Sequence, residues 1–168
     1  MEIMLKEKLI ENMKNYFEGD RERINHTLKV VDFAEKLIKI HNSDQIDREI
    51  VIYSAILHDI GIKKAEEKYD SSAGNYQEIE GPPVAGEILS LYDLNQDKID
   101  EICEIIGHHH SPGNIETDNF KILYDADGLV NLPTSRNFSN IKEEEIKEII
   151  EKFYLTETGK NYARKLFL

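Results

Sequence analysis

The sequence predicts an all-α protein. Apolar residues recur at helical spacing over almost the whole chain, alternation of apolar and polar residues never persists as it does in a strand, and acidic residues and glycines fall where helices start and stop. A first helix reads from about Leu5 to Phe17 and stops at Gly19. Asp20 is placed as the N-cap of a second, which carries Ile24, His26, Val30, Phe33, Ala34 and Leu37. Asp47 caps a third, REIVIYSAILHDI, with Gly61 as its C-terminal stop. The polar, glycine-bearing stretch over residues 63–81, KKAEEKYDSSAGNYQEIEG, reads as the longest loop and as a lid over a site. Pro82 and Pro83 suit the first turn of a following helix that runs to about Tyr92. Asp97 opens KIDEICEIIGHHH, which ends at SPGN. A helix over 120–132 closes at Pro133, and the remainder reads as one helix around 146–154 and a shorter one from about Lys160 to Leu168.

With 168 residues, 40% hydrophobic, the chain is long enough for one domain, residues 1–168, that buries a sizeable core. Cys103 is the single cysteine, so no internal disulfide forms; its neighbours Ile99, Ile102 and Ile106 suggest a buried apolar role, and a reducing cytoplasm fits. The N-terminal MEIMLKEKLIENMKNYF mixes charge with apolar residues, which suits neither a signal peptide nor a membrane span. A net charge of −12 without a basic cluster argues against a nucleic-acid polymer as partner, because such affinity depends on neutralising phosphates. A small phosphorylated substrate stays compatible, since a bound divalent metal dominates the field of its own pocket.

Several chemically capable side chains sit where packing would ask for Leu or Ile. On the third helix His58 shares a face with Val51, Ser54 and Ala55 and so points inward. Asp59 lies near the helix end, where a carboxylate opposes the macrodipole and calls for a compensating cation. His26 precedes Val30 by one turn and Phe33 by one heptad, which puts it on the apolar side. In LYDADGLVNL, Asp127 groups with Leu123 and Val130, and Asp125 with Ile122, Leu129 and Leu132. Two residues advance a helix by about 200°, so the two aspartates cannot share one site, and periodicity does not choose between them. In the run His108, His109, His110, the second continues the line of Ile102 and Ile106 and the third that of Ile99, Cys103 and Ile106; His108 falls outside both.

His26, the His58-Asp59 pair preceded by YSAIL and followed by Gly61, and ADGLVNL come in an order that resembles the HD-domain metal-dependent phosphohydrolases over nearly the whole chain. The resemblance implies a helical HD-domain bundle in which His26, His58, Asp59 and Asp127 hold a metal. Asp125 then becomes an acceptor behind the ligands or a helix-surface residue. Two imidazoles and two carboxylates suit Mn, Fe, Co, Ni or Zn better than Mg. In relatives with two metals Asp59 would bridge, and His109 and His110 would reach the second ion or the substrate phosphate, or act as general acid. Such proteins carry one more histidine after the His-Asp pair, whereas no histidine occurs here from residue 59 to 107; Glu78 and Glu80 in YQEIEGPP are the nearest substitutes. Arg23, Lys63 and Lys64 are candidates for pairing with substrate phosphate.

The implied activity is hydrolysis of a small phosphoester, a nucleotide or related metabolite, by metal-activated water. A non-catalytic metal or nucleotide sensor and a di-iron oxygenase are the alternatives. Alarmone hydrolases share the AD motif but have an acidic pair where Ile62 and Lys63 stand. Cyclic-dinucleotide phosphodiesterases of the HD-GYP type share HDIG, but SPGN replaces their Gly-Tyr-Pro stretch. The similarity is greatest to small bacterial HD proteins with YQEIEGP and GHHH segments, whose substrate the motifs do not define.

Overall fold

The computed structural model describes residues 2–135 and 138–168, which form helices and, among the described residues, no strand. In chain order these are α1 (Glu2–Phe17), α2 (Arg21–Ile40), α3 (Arg48–Leu57), α4 (Ile62–Tyr69), α5 (Gly74–Leu89), α6 (Gln96–Ile106), α7 (Asp118–Ser135), a 3₁₀ turn (Phe138–Asn140), α8 (Glu143–Phe153) and α9 (Glu157–Phe167). The all-α expectation holds. Helix α3 is the centre: Ile50 through Leu57 are all buried, and the helix packs on α1, α2, α6 and α7. A helix that is apolar on every side has nowhere to go but the core.

The caps expected at Asp20 and Asp47 are present, with side chains accepting from the backbone N–H of Arg23 and Ile50 at 3.3 Å each. Helix α6 starts at Gln96, one residue before the expected Asp97, because Asn95 is its cap and accepts from Asp97 N at 2.8 Å.

The loop expected over residues 63–81 is instead mostly helical: α4 covers Ile62–Tyr69, α5 begins at Gly74, and only residues 70–73 separate them. The error has a physical origin. Helix α4 buries only Ile62 and Ala65, and the buried face of α5 includes Gln77, Glu80 and Gly81, so neither shows an apolar period. Pro82 and Pro83 lie inside α5 rather than in its first turn. Each removes a ladder donor; the Cys103 thiol adds a bond to Pro82 O at 3.6 Å, and the missing side chain of Gly107 leaves room for the Pro82 ring. Pro133 likewise sits within the last turn of α7 and does not end it.

Gly61 is no left-handed helix stop either. Its φ is −79°, and it is the N-cap residue of α4. It is small because α5 crosses it: a Cβ there would lie 2.5 Å from Gly81 N and 2.7 Å from Gln77 O, both backbone atoms that cannot swing away. This crossing holds the residues just after α3 against the middle of α5. Gly61→Ala should therefore destabilise the fold by about 1–3 kcal/mol, the range for overpacking a tight site; a denaturant midpoint equal to that of the wild type would refute the account.

Candidate metal centre

Four helix segments meet at one point. His26 comes from the second turn of α2, Asp127 from the middle of α7, the His58-Asp59 pair follows the last residue of α3, and His109 and His110 follow the end of α6. The Nε2 of His26 lies 3.1 Å from Asp127 Oδ1 and 3.4 Å from Asp59 Oδ2. The Nε2 of His58 lies 3.3 Å from each of the same two oxygens. Asp59 turns its other oxygen the opposite way, with Oδ1 3.4 Å from His109 Nε2. Ligand atoms of His26, His58 and Asp59 lie within 4.8 Å of one another, and so do those of Asp59, His109 and His110.

The rings are aimed by helix ends. The last carbonyls of a helix have no intrahelical donor, and three of them accept from histidines here. His58 Nδ1 donates to Ala55 O at 2.7 Å, His109 Nδ1 to Ile106 O at 2.7 Å, and His108 Nδ1 to Glu104 O at 2.9 Å. An imidazole that donates through Nδ1 presents Nε2 as a lone pair, the tautomer metal ligation requires. The Nε2 atoms of His58 and His109 are buried and have no hydrogen-bond partner. They are close enough to the Asp59 carboxylate for charge contact, but not aligned for a hydrogen bond. A buried polar atom left so costs about 1–3 kcal/mol, and a cation between the nitrogens and the carboxylate oxygens would remove that cost. The donor set fits a divalent metal.

The electrostatics agree. Burial alone would lower the His58 pKa, yet Asp59 and Asp127 hold it well above its ordinary value. Burial would raise both carboxyls; His58 and His109 hold Asp59 well below the usual range, and His58 and His26 do the same for Asp127. The site thus carries a buried carboxylate, Asp127, and a half-buried one, Asp59, that need positive charge.

His109 and His110 face this point, as their helical extrapolation implied, although they stand in the turn beyond α6 rather than on it. His110 as a residue is exposed, but desolvation of its ring and the neighbouring His109 lower its pKa. Sequence reasoning missed Gln77. Its amide nitrogen donates to Ser72 O at 2.7 Å, which leaves its oxygen to face His110 Nε2 at 3.0 Å. No periodic signal marks a glutamine in a helix read as loop.

The two glutamates expected to replace the missing histidine go elsewhere. Glu80 binds Lys68 at 2.9 Å and the Tyr69 hydroxyl at 3.0 Å. Glu78 accepts from His110 N at 3.1 Å and Ser111 Oγ at 2.8 Å, so it braces the histidine turn. Lys63 is directed away, to Glu18 Oε2 at 3.2 Å and the Tyr16 ring, and Lys64 is exposed. Arg23 does reach the mouth of the site, lining a cavity of about 470 Å³ with His26 and Asp59, but its guanidinium is forked onto Glu66 at 2.7 and 3.1 Å.

Asp125 is neither a surface residue nor an acceptor behind the ligands. It is fully buried and accepts from Leu155 N, Thr156 N and the Thr156 hydroxyl at 2.6–3.0 Å, tying α7 to the turn between α8 and α9. Burial raises its pKa to about 6 despite those donors. Gly159 packs so closely that a Cβ would lie 2.2 Å from Asp125 Oδ2.

HD domain, as a family, matches residues 23–132, a span that contains every one of these facing histidines and aspartates. The chain belongs to the HD-domain family. An uncharacterized protein from Clostridium beijerinckii is 35% identical over 121 residues, 69% of this chain and 71% of that protein. The crystal structure of a predicted HD superfamily hydrolase from an uncultured Thermotogales bacterium superposes with a TM-score of 0.65 at 21% identity, over 95% of this chain and 83% of that one. The second likeness is one of fold. No helix among the described residues is long and apolar enough to cross a membrane.

Asp125→Ala should lower stability by at least about 2 kcal/mol, since it strands two backbone N–H groups and a hydroxyl. Thermal unfolding of the variant checks this, and an unchanged midpoint would show that water replaces the carboxylate.

Proposed function

We propose that the protein is a metal-dependent hydrolase of a small phosphoester, a nucleotide or related phosphorylated metabolite. The observation that carries this reading is the pair of buried, partnerless Nε2 atoms of His58 and His109 on opposite sides of the Asp59 carboxylate. His26, His58, Asp59 and Asp127 would hold one divalent ion, and Asp59, His109 and His110 a second, with Asp59 between them. Mn, Fe, Co, Ni or Zn suits these ligands better than Mg. When bound, such an ion polarises a phosphoryl oxygen and makes water acidic enough to attack near neutral pH.

The chain's own residues do the remaining work. Asp59 keeps both halves of the site in register. His110, at its outer edge with its ring steadied by Gln77, would complete the second ligand set, and in a one-ion site it would instead contact the phosphoryl group or the leaving oxygen. A di-iron oxygenase would need a further ligand from Glu78 or Glu80, and both carboxylates are engaged by other partners.

Protein purified without chelator should contain a divalent transition metal, and chelation should abolish phosphoester turnover that Mn, Co or Ni restores. Turnover of no phosphoester in a broad screen with metal bound would support the sensor reading instead. Asp59→Ala and Asp127→Ala should lose both metal and activity. His109→Ala or His110→Ala should reduce turnover by about 10²-fold or more while the His26, His58, Asp59, Asp127 ion stays, and His108→Ala should change little.

Glu80→Ala should keep the metal content of the wild type, because its carboxylate serves Lys68 and Tyr69. Loss of an ion from that variant, counted by elemental analysis, would return Glu80 to the ligand set.

A further inference from the structure

The cavity of about 470 Å³ that His26 and Asp59 line does not end at the metal centre. A second cavity, about 680 Å³, lies beside it between α2 and α7, and Asn25, Lys29, Val130 and Thr134 line both. The two chambers thus share a wall of four residues. Their chemistry differs. Leu28, Phe33, Leu129, Val130 and Pro133 are five of the nine residues around the larger one, and no histidine is among the nine. Its size is within the usual range for small-molecule sites, which combine apolar walls with a few polar groups.

Lys29 stands at the junction, one turn of α2 beyond His26. Arg23 and Lys29 are the basic residues of the smaller chamber, and Arg23 is neutralised by Glu66. Among the described residues no ion pair engages Lys29. In a chain of net charge −12, an unpaired cation beside a metal-ligand cluster is suited to an anionic group passing between the chambers.

We propose that the larger chamber holds the organic part of the substrate, so that the hydrolase acts on phosphomonoesters of apolar alcohols, with Lys29 pairing with the phosphate at the junction. This rests on the hydrolase reading above and replaces its nucleotide with an ester of an apolar alcohol. In the reaction the oxygen of water bonds to phosphorus, the bond between phosphorus and the ester oxygen breaks, and that oxygen takes a proton. Inorganic phosphate and the free alcohol leave, and no oxidant or reductant is needed. The apolar walls contribute by removing the alcohol's hydrocarbon surface from water.

Benzyl phosphate and ethyl phosphate test this, because both release an aliphatic alkoxide and differ in apolar bulk. With metal-loaded wild type, kcat/KM for benzyl phosphate should exceed that for ethyl phosphate by about tenfold or more, the scale of a filled against an empty apolar pocket. The ratio should fall toward one in Leu28→Asn and Val130→Asn, both checked for wild-type metal content. Lys29→Ala should raise KM for both esters by a similar factor and leave the ratio. Binding of benzylphosphonate and ethylphosphonate, which are not hydrolysed, provides a readout independent of turnover. Tighter binding of the benzyl compound, lost in Leu28→Asn, would support the chamber even if no ester were turned over, and only the hydrolase reading would then fall. Hydrolysis of both esters at equal kcat/KM, or a benzyl preference that survives both asparagine variants, would overturn the chamber and leave the hydrolase reading standing.

Discussion

The carbonyls of Ala55 and Ile106, each among the last of its helix, accept from the Nδ1 of His58 and His109. Everything at the metal centre depends on that pair of bonds. A helix C-terminus has surplus acceptors, so an imidazole three residues further on finds a partner without help from any other element. Once Nδ1 is committed, Nε2 must face the other way, and in both cases that direction is the Asp59 carboxylate. The same local device at Glu104 occupies His108 and leaves it outside the cluster.

Such a centre is electrostatically unfinished without a cation. Asp59 follows the C-terminus of α3, where the helix dipole disfavours negative charge, and it shares a buried space with Asp127. Against the effect of burial, the two carboxylates raise the His58 pKa and His58 lowers theirs, the same shortage of positive charge seen from both sides. Burying charges in this way costs more than their pairing returns unless the geometry is good. The stability for it comes from around the site: α3 is buried along its length, and Asp125 fastens α7 to the C-terminal helices two residues before Asp127.

Helix α5 brings the two histidine turns together. Gly81 lies against Gly61 on one side and against Ile106 on the other, where a Cβ would come within 2.8 Å of the Ile106 side chain. The turn after α3 and the turn after α6 are thereby held on either flank of one helix. From its N-terminal half α5 also extends Gln77 to the His110 ring and Glu78 to the His110 backbone. This helix was the least legible in the sequence, because glycines, prolines and a polar buried face erase the apolar period by which helices are recognised. The glutamates in it looked like ligands for the same reason: spacing along the chain says nothing about which way a side chain of an unrecognised helix turns.

Sequence alone determined the all-α class, the caps at Asp20 and Asp47, and the inward direction of His26 and His58, since each follows from residues within one or two helical turns. It also marked His109 and His110 off from His108, although by extending a helix that in fact ends at Ile106. The choice between Asp125 and Asp127 was beyond periodicity, because both sides of α7 are buried. The resemblance to the HD-domain pattern chose Asp127, and only the tertiary structure decided that Asp125 fastens the C-terminal turn. It alone sent Glu80 to Lys68, Lys63 to Glu18 and Glu78 to the histidine backbone, and placed Gln77 beside His110. The physical reason is that a side chain's face is set by its own helix, whereas its partner is set by which other helix crosses there, and the crossings depend on contacts remote in the chain, such as that of Gly61 with Gly81.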